Sequence, residues 1–332
     1  MSGTAARARL GLALGSGLFD LPEAGDIAVF GADAERDLGA LPRDRVHVIC
    51  RRKPDFDLLE RAGFRVALTP PDRAALAIVF VTRAKAETRD MLAQAARIAP
   101  MLVIDGQKTD GIDSVFKEMR KRTECSSAFS KAHGKLFVAT NPNAALSDWS
   151  SPPTPNRDGF TTAPGVFSAD GVDPASRLLA QALPDRLGAH LVDLGAGWGY
   201  LSHAALTRAD VARIDLVEAD HAALDCARIN VDDPRAAFHW ADATLWRPNA
   251  GVDGVIMNPP FHQGRKGVPA LGQAFIRNAA AMLSPAGRLW LVANRHLPYE
   301  DELAQRFGKV EEIAGDNRFK VLAATRPARK PR

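Results

Sequence analysis

Only three cysteines occur in 332 residues, Cys50, Cys125 and Cys226, and no two form a C-x-x-C pair. An odd number so widely spaced supports neither a disulfide framework nor a zinc site. A reducing, cytoplasmic setting is therefore expected, with no metal. No run of about 18 apolar residues is present, which argues against a transmembrane helix and leaves no membrane partner expected. Arg7, Arg9 and the short apolar run 10–14 precede Asp20 and Glu23 without a clear small-residue cleavage site. A short amphipathic opening helix is expected there rather than a secretory signal.

Charge of one sign is also scarce. Residues 1–145 hold 22 Lys+Arg against 18 Asp+Glu, and residues 146–332 hold 21 against 21. Four of the latter basic residues, Arg326, Arg329, Lys330 and Arg332, fall in the last seven positions. The mild basic excess of the first half permits a polyanionic partner, and it is equally the balance of a mixed solvated surface. With 46% apolar and 25% charged residues over this length, the chain is a soluble globular protein of two ordinary domains.

What is present is alternation. Apolar strand candidates at 27–30, 46–50, 65–68, 77–82, 101–104 and 136–140 flank helical patterns at 84–98 and 111–122. Such alternation predicts a parallel α/β sheet. Residues 141–165 are rich in Pro, Ser and Asn, and are expected to be a connector without regular structure. Beyond them, Asp173-Pro174 reads as a helix cap and first turn. Strands follow at 190–194, 214–218, 238–241, 252–257 and 288–293, with helices at 198–207, 222–230, 271–283 and 299–307. Two last strands, 309–313 and 318–324, surround Gly315-Asp316-Asn317. The expected division is a first domain 1–145, a linker 146–165, a second domain 166–326 and a basic tail 327–332.

The second half carries the chemistry. Leu191-Val192-Asp193-Leu194-Gly195-Ala196-Gly197-Trp198-Gly199 is a strand, an acid and a glycine turn into a helix. Glycines let the backbone turn tightly and approach a ligand. A dinucleotide fingerprint needs G-x-G-x-x-G, and here the third glycine comes one residue early. Asp193 before the turn suits an ammonium better than a pyrophosphate, which points to S-adenosylmethionine. Glu218, followed by Ala219, ends the next strand, where an acid can accept from both ribose hydroxyls. Asp242, followed by Ala243, ends the third, where a carboxylate can accept from the adenine amine. Val255-Ile256-Met257-Asn258-Pro259-Pro260-Phe261 ends the fourth: the prolines stop the strand and deliver an amide and a ring at its tip. First and fourth strands are neighbours at the switch point of a doubly wound sheet, so both motifs serve one crevice. Trp198, Trp240 and Trp246 are candidates to flank the adenine or to pack in the core. Asp173 and Ser176 are adequately read as helix caps, with a lid role open.

These residues resemble the class I S-adenosylmethionine-dependent methyltransferases, and Asn258-Pro259-Pro260-Phe261 resembles the branch that methylates amino groups. Gly165-Val166-Phe167-Ser168, Phe261-His262-Gln263-Gly264, Val292-Ala293-Asn294 and Arg318-Phe319-Lys320-Val321 are similar to the ribosomal RNA guanine-N2 methyltransferases. The resemblance spans nearly the whole chain and is strongest from about 165 onwards. It departs at Gln263, where the family usually has Asp, and at Ala175-Ser176 in place of Gly-Ser.

The resemblance implies two tandem Rossmann-like methyltransferase-type α/β domains. The first would be degenerate, with Gly31-Ala32-Asp33 alone after its first strand and Val81-Thr82-Arg83 for Asn-Pro-Pro, and would position RNA or support the second. The second would hold a mostly parallel seven-stranded sheet ending in an antiparallel hairpin. Expected cofactor residues are Asp193, Gly195, Ala196, Gly197, Gly199, Glu218, Ala219, Asp242, Ala243 and Asn258. Expected catalytic residues are Asn258, Pro259, Pro260 and Phe261, with His262, Arg265 and Lys266 towards substrate. The expected partner is ribosomal RNA, most readily 16S, or a ribosomal subunit, acted on by a monomer. Methylation of 23S rRNA, DNA adenine or protein glutamine, or a non-catalytic RNA-binding assembly factor, are the alternatives.

Overall fold

The computed structural model describes residues 8–260, 262–263, 266–267 and 269–328. The chain divides into two compact units, one ending at Pro152 and the next beginning at Pro153. In the first, α1 (Arg9–Gly15) precedes β1 (Ile27–Phe30), β2 (Val46–Ile49), α2 (Lys53–Arg61), β3 (Arg65–Ala67) and β4 (Leu76–Phe80). Then come α3 (Lys85–Ile98), β5 (Met101–Gln107), α4 (Ile112–Met119), β6 (Glu124–Cys125), β7 (Phe129–Lys131) and β8 (Gly134–Thr140). The sheet order is β3-β2-β1-β4-β5-β8-β6, with β7 also on β8. The first five strands are parallel, and β8 runs antiparallel to β5. β1 and β4 are buried along their whole length, as continuous apolar runs in a doubly covered sheet should be. The opening helix is fastened by charge: the buried Arg9 donates from Nε to Asp105 Oδ1 at 2.6 Å.

The connector departs from expectation. Asn143–Trp149 is a 3-10 helix whose Leu146 and Trp149 pack into the first unit's core, so the division falls after 152 rather than 145. Two apolar residues three apart, one turn of a 3-10 helix, overrode the Pro/Ser composition around them. β9 (Thr154–Pro155) and β10 (Thr161–Thr162) then form a short antiparallel pair within 153–165.

The second unit continues with α5 (Pro174–Ala182), β11 (His190–Leu194), α6 (Tyr200–Ala205), β12 (Arg213–Glu218), α7 (His221–Asn230), β13 (Ala236–Trp240) and β14 (Val252–Met257). The ladder β15 (His262–Gln263) with β16 (Lys266–Gly267) leads to α8 (Pro269–Met282), β17 (Leu283–Asn294), α9 (Glu300–Arg306), β18 (Phe307–Gly315) and β19 (Phe319–Pro327). Seven strands order as β13-β12-β11-β14-β17-β19-β18, parallel up to β17 and closed by the antiparallel β18–β19 hairpin. The two units share one strand order, two strands outward from the first on one side and the rest in the other direction. In the second, the order reverses between β11 and β14, where Asp193 pairs with Ile256. Apolar clusters cover both faces, Leu191, Leu216 and Trp290 on one, Val255, Phe275 and Leu289 on the other. Among the described residues, no helix is long and apolar enough to cross a membrane and no His/Cys/Asp/Glu cluster could hold a metal.

Candidate active site

At the carboxyl ends of β11 and β14 a cleft is lined by Gly195, Ala196, Gly197, Asn258, Asp173 and Ser176, with Phe167, Ser168 and Trp198 at its margin. The glycine turn builds its floor. Gly195, Gly197 and Gly199 all have positive φ (75°, 57° and 91°), a region that costs other residues strain. Their surroundings separate their roles. A Cβ on Gly199 would lie 2.7 Å from Val231 Cγ2, so that glycine lets α6 pack against α7. A Cβ on Gly197 would meet nothing within 4 Å. Gly197 therefore faces open space, and a side chain there would enter the cleft.

Two acids frame the turn. Glu218, at the end of β12, accepts from Gly197 N–H and Asp220 N–H, both at 2.8 Å. Each carboxylate oxygen is thus pinned by a backbone donor, with further lone pairs remaining. Desolvation raises its pKa, against those hydrogen bonds. Asp193 is fully buried; Ser202 donates to its Oδ2 at 2.7 Å, and Oδ1 has no partner in the structure. Burial, and after it the Glu218 charge, push the Asp193 pKa up to about 7, with the Ser202 bond pulling the other way. A buried carboxylate oxygen without a donor is costly, and a cationic group placed beside it would relieve the cost.

The acceptor side is built from Asn258. Its half-buried carboxamide donates from Nδ2 to Asp173 Oδ2 at 3.0 Å and to Ser176 Oγ at 2.9 Å. Both amide hydrogens are spent on α5, so the side chain has one orientation and its carbonyl oxygen keeps its capacity to accept. Asp173 also caps α5 through Ser176 N–H at 2.9 Å, so the cap and the clamp are one device. Pro259 is buried behind Asn258, and Pro260 is exposed.

Asp242 lies two residues past the end of β13, and Ala241 N–H donates to Glu218 O at 3.0 Å, holding the two strand ends side by side. Its Oδ1 accepts from Thr244 N–H and Oγ1 at 2.8 and 2.6 Å. Ala243 is buried in the core, and its carbonyl accepts from Asn278 at 2.5 Å. Ala219 O accepts from Trp240 Nε1 at 2.9 Å. Of the expected cofactor residues, Gly195, Ala196, Gly197 and Asn258 line the cleft itself, whereas Asp193, Gly199, Glu218, Ala219, Asp242 and Ala243 stand behind or beside it. Only Trp198 of the three tryptophans lines it; its Nε1 donates to Phe167 O at 2.9 Å and fixes the segment before α5. Phe261 and Arg265, and the side chains of His262 and Lys266, lie outside the described residues.

Comparison with known proteins agrees with this geometry. A family profile described as "Methyltransferase small domain" matches residues 158–323. A ribosomal RNA small subunit methyltransferase C of Hahella chejuensis is 32% identical over 71% of this chain and 72% of its own. Another, from a Shewanella species (strain MR-4), is 28% identical over 88% of both chains. A solved T. thermophilus 16S rRNA N2 G1207 methyltransferase, in complex with AdoMet and guanosine, superposes with a TM-score of 0.78 at 26% identity, covering 92% of this chain and 90% of that one. The chain belongs to the ribosomal RNA guanine-N2 methyltransferase family.

The methyl donor of this methyltransferase is S-adenosylmethionine, and the residues present fit it. The orphaned Asp193 Oδ1 suits an ammonium, the open Gly197 suits close approach, and the pinned Glu218 suits a diol. Reading the residues in order did not reveal that Asp173 and Ser176 hold Asn258, nor that Ser202 holds Asp193. Those contacts span 85, 82 and 9 residues, and only the cap pattern around Asp173 signalled the first pair.

Proposed function

We propose that this methyltransferase moves a methyl group from S-adenosylmethionine to the exocyclic N2 amine of a guanine in 16S rRNA. The observation that carries the reading is the clamped Asn258 amide at the tip of β14, one strand from the glycine turn. An arylamine lone pair is delocalised into its ring and is a weak nucleophile. Asn258 Oδ1 and the Pro259 carbonyl accept its two N–H groups and favour the tetrahedral nitrogen of the transition state. Because Asn258 is already oriented, no reorganisation is needed during reaction. Bound S-adenosylmethionine supplies a methyl activated by its sulfonium. Asp193, Gly197, Glu218 and Asp242 hold and orient it, and alignment with the amine is the other main contribution. The nitrogen proton becomes acidic once the fourth bond forms, so no strong base is required. Phe261 supplies the stacking plane for the extruded base.

The first unit, in this reading, transfers no methyl group and positions RNA or supports the second. Among the described residues no α-helix follows β1 before β2, so no helix N-terminus faces a ligand there. Val29 stands where the second unit has Asp193, two residues before the strand-end glycine, and Val81 follows β4 where Asn258 follows β14. A ribosomal RNA substrate implies action in the cytoplasm.

Methyl transfer to naked 16S and 23S rRNA, free 30S and free 50S particles, DNA and protein tests the assignment. Wild type is expected to label N2 of guanine in 16S rRNA or the 30S particle. Asn258→Ala is expected to lower kcat at least a hundredfold, about 3 kcal/mol of lost transition-state stabilisation, while S-adenosylmethionine binding is unchanged. Labelling of protein or DNA alone, or near-normal turnover by the variant, would overturn it.

A further inference from the structure

The strand next to β14 carries a second recess that the transfer chemistry does not use. Asn294, Arg295, His296, Asn317 and Arg318 line an open cavity of about 490 Å³ where β17 ends and the β18–β19 turn folds over. Its position follows from register. Met257 pairs with Leu291, so Asn258 is level with Val292 and Asn294 stands two residues further along the adjacent strand. That offset puts the recess roughly 8 Å from the Asn258 backbone, on the same carboxyl edge of the sheet.

The lining divides into a fixed wall and a displayed set. Arg295 is the wall: its Nε donates to Asp316 O at 2.8 Å, and its Nη2 donates to Glu312 Oε1 at 2.8 Å and Phe319 O at 3.2 Å. Asp316 is also committed, its Oδ1 accepting from Arg318 N–H and Phe319 N–H at 2.7 Å each. The side chains of Asn294, His296 and Asn317 have no hydrogen-bond partner among the described residues. The Arg318 guanidinium forms no contact ion pair among the described residues, although it sits near enough to the Asp316 carboxylate to lower its pKa, and it rests on the Phe319 ring, 4.9 Å from the centroid. With Glu312 and the Asp316 Oδ1 turned to Arg295 and to backbone N–H groups, the lining itself, of one guanidinium, one imidazole and two carboxamides, presents donors for phosphate oxygens and donor–acceptor pairs for base edges.

We propose that this recess binds the nucleotide of single-stranded RNA that flanks the target guanine, with Arg318 on its phosphodiester and Asn294 and Asn317 on its base. The inference rests on the RNA methylation reading above and extends it to how the target is held once extruded. The neighbouring phosphate anchors the strand while Asn258 engages the base, so Arg318 is a positioning residue rather than a catalytic one.

The test compares full-length wild type with Arg318→Gln, measuring 16S rRNA binding across salt concentrations, KM and kcat for transfer, S-adenosylmethionine binding and Tm. The variant is expected to bind RNA about tenfold more weakly. The slope of log K against log salt should become shallower by about 0.7. KM for RNA rises in step, while S-adenosylmethionine affinity and Tm stay as in wild type. Wild-type RNA affinity and salt slope in the variant would overturn the proposal. If Arg318→Gln lowers Tm, Asn317→Ala on the exposed turn replaces it: a severalfold KM increase supports the site, and an unchanged KM overturns it. Failure of the functional reading shows differently, as a wild-type enzyme that neither binds nor methylates rRNA, and it removes this proposal too.

Discussion

A carboxamide has two donor hydrogens and one carbonyl acceptor, and at Asn258 the fold treats the two ends differently. Both hydrogens go to α5, while the carbonyl keeps its capacity to accept, which the proposed function assigns to the target amine. The same division appears at Asp193, where Ser202 satisfies one oxygen and the other waits in a buried setting. Its raised pKa has a direct consequence. Folded protein without cofactor keeps a proton that the unfolded chain has released between about pH 4 and 7. Stability from this group therefore falls as pH rises through that window and is level above it. In the proposed role the Asp193 carboxylate holds the cofactor's ammonium, so S-adenosylmethionine affinity should rise with pH up to about 7 and then flatten. Asp193→Asn is expected to bind the cofactor about tenfold or more weakly at pH 8, and to lose both slopes. Calorimetric titration from pH 5.5 to 8.5 checks this. A variant that keeps the wild-type pH dependence would assign it to another group, with Glu218 the next candidate.

At the scale of elements, α5 couples folding to the site. Asp173 satisfies an orphan N–H of the helix and orients Asn258 with one carboxylate oxygen, whereas Ser176 Oγ contacts Asn258 without capping anything. The two roles can be separated. Ser176→Ala should lower kcat severalfold with Tm unchanged, and Asp173→Ala should lower both, losing about 1 kcal/mol of stability with the cap. Thermal melts beside single-turnover rates make the comparison, and equal Tm losses in the two variants would show that Ser176 is structural instead. Much of this unit could be read from sequence because its signals are local. An apolar run ended by Asn258-Pro259-Pro260, a strand ended by a glycine turn, and Asp173-Pro174 each encode an element boundary within a few residues. Missing were α2, short and charged with only Leu59 buried, and the 3-10 helix anchored by Leu146 and Trp149. Also hidden was the buried Asp215, which receives His190 at 2.6 Å, His239 at 2.8 Å and Arg213 at 2.7 Å. His190 and His239 lie on the strands either side of β12, and no linear pattern shows that three parallel strands will bring them together.

On the scale of the whole molecule, two units of the same topology have diverged in what their strand ends carry. The residues proposed for the cofactor all lie in the second, which makes the units distinguishable by ligand. Bound S-adenosylmethionine stabilises only the state that holds its site, by about 2.7 kcal/mol at a hundredfold excess over Kd. In scanning calorimetry of the full chain, cofactor should therefore raise the transition of the second unit and leave that of the first in place. Trp149, packed in the first core with Leu146, marks the other transition. Trp149→Ala should lower it by the equivalent of about 3–5 kcal/mol, with cofactor affinity unchanged. If instead one transition moves as a whole with both cofactor and Trp149→Ala, the two units unfold as a single cooperative body. The first would then act by supporting the second, not as an independent platform for RNA.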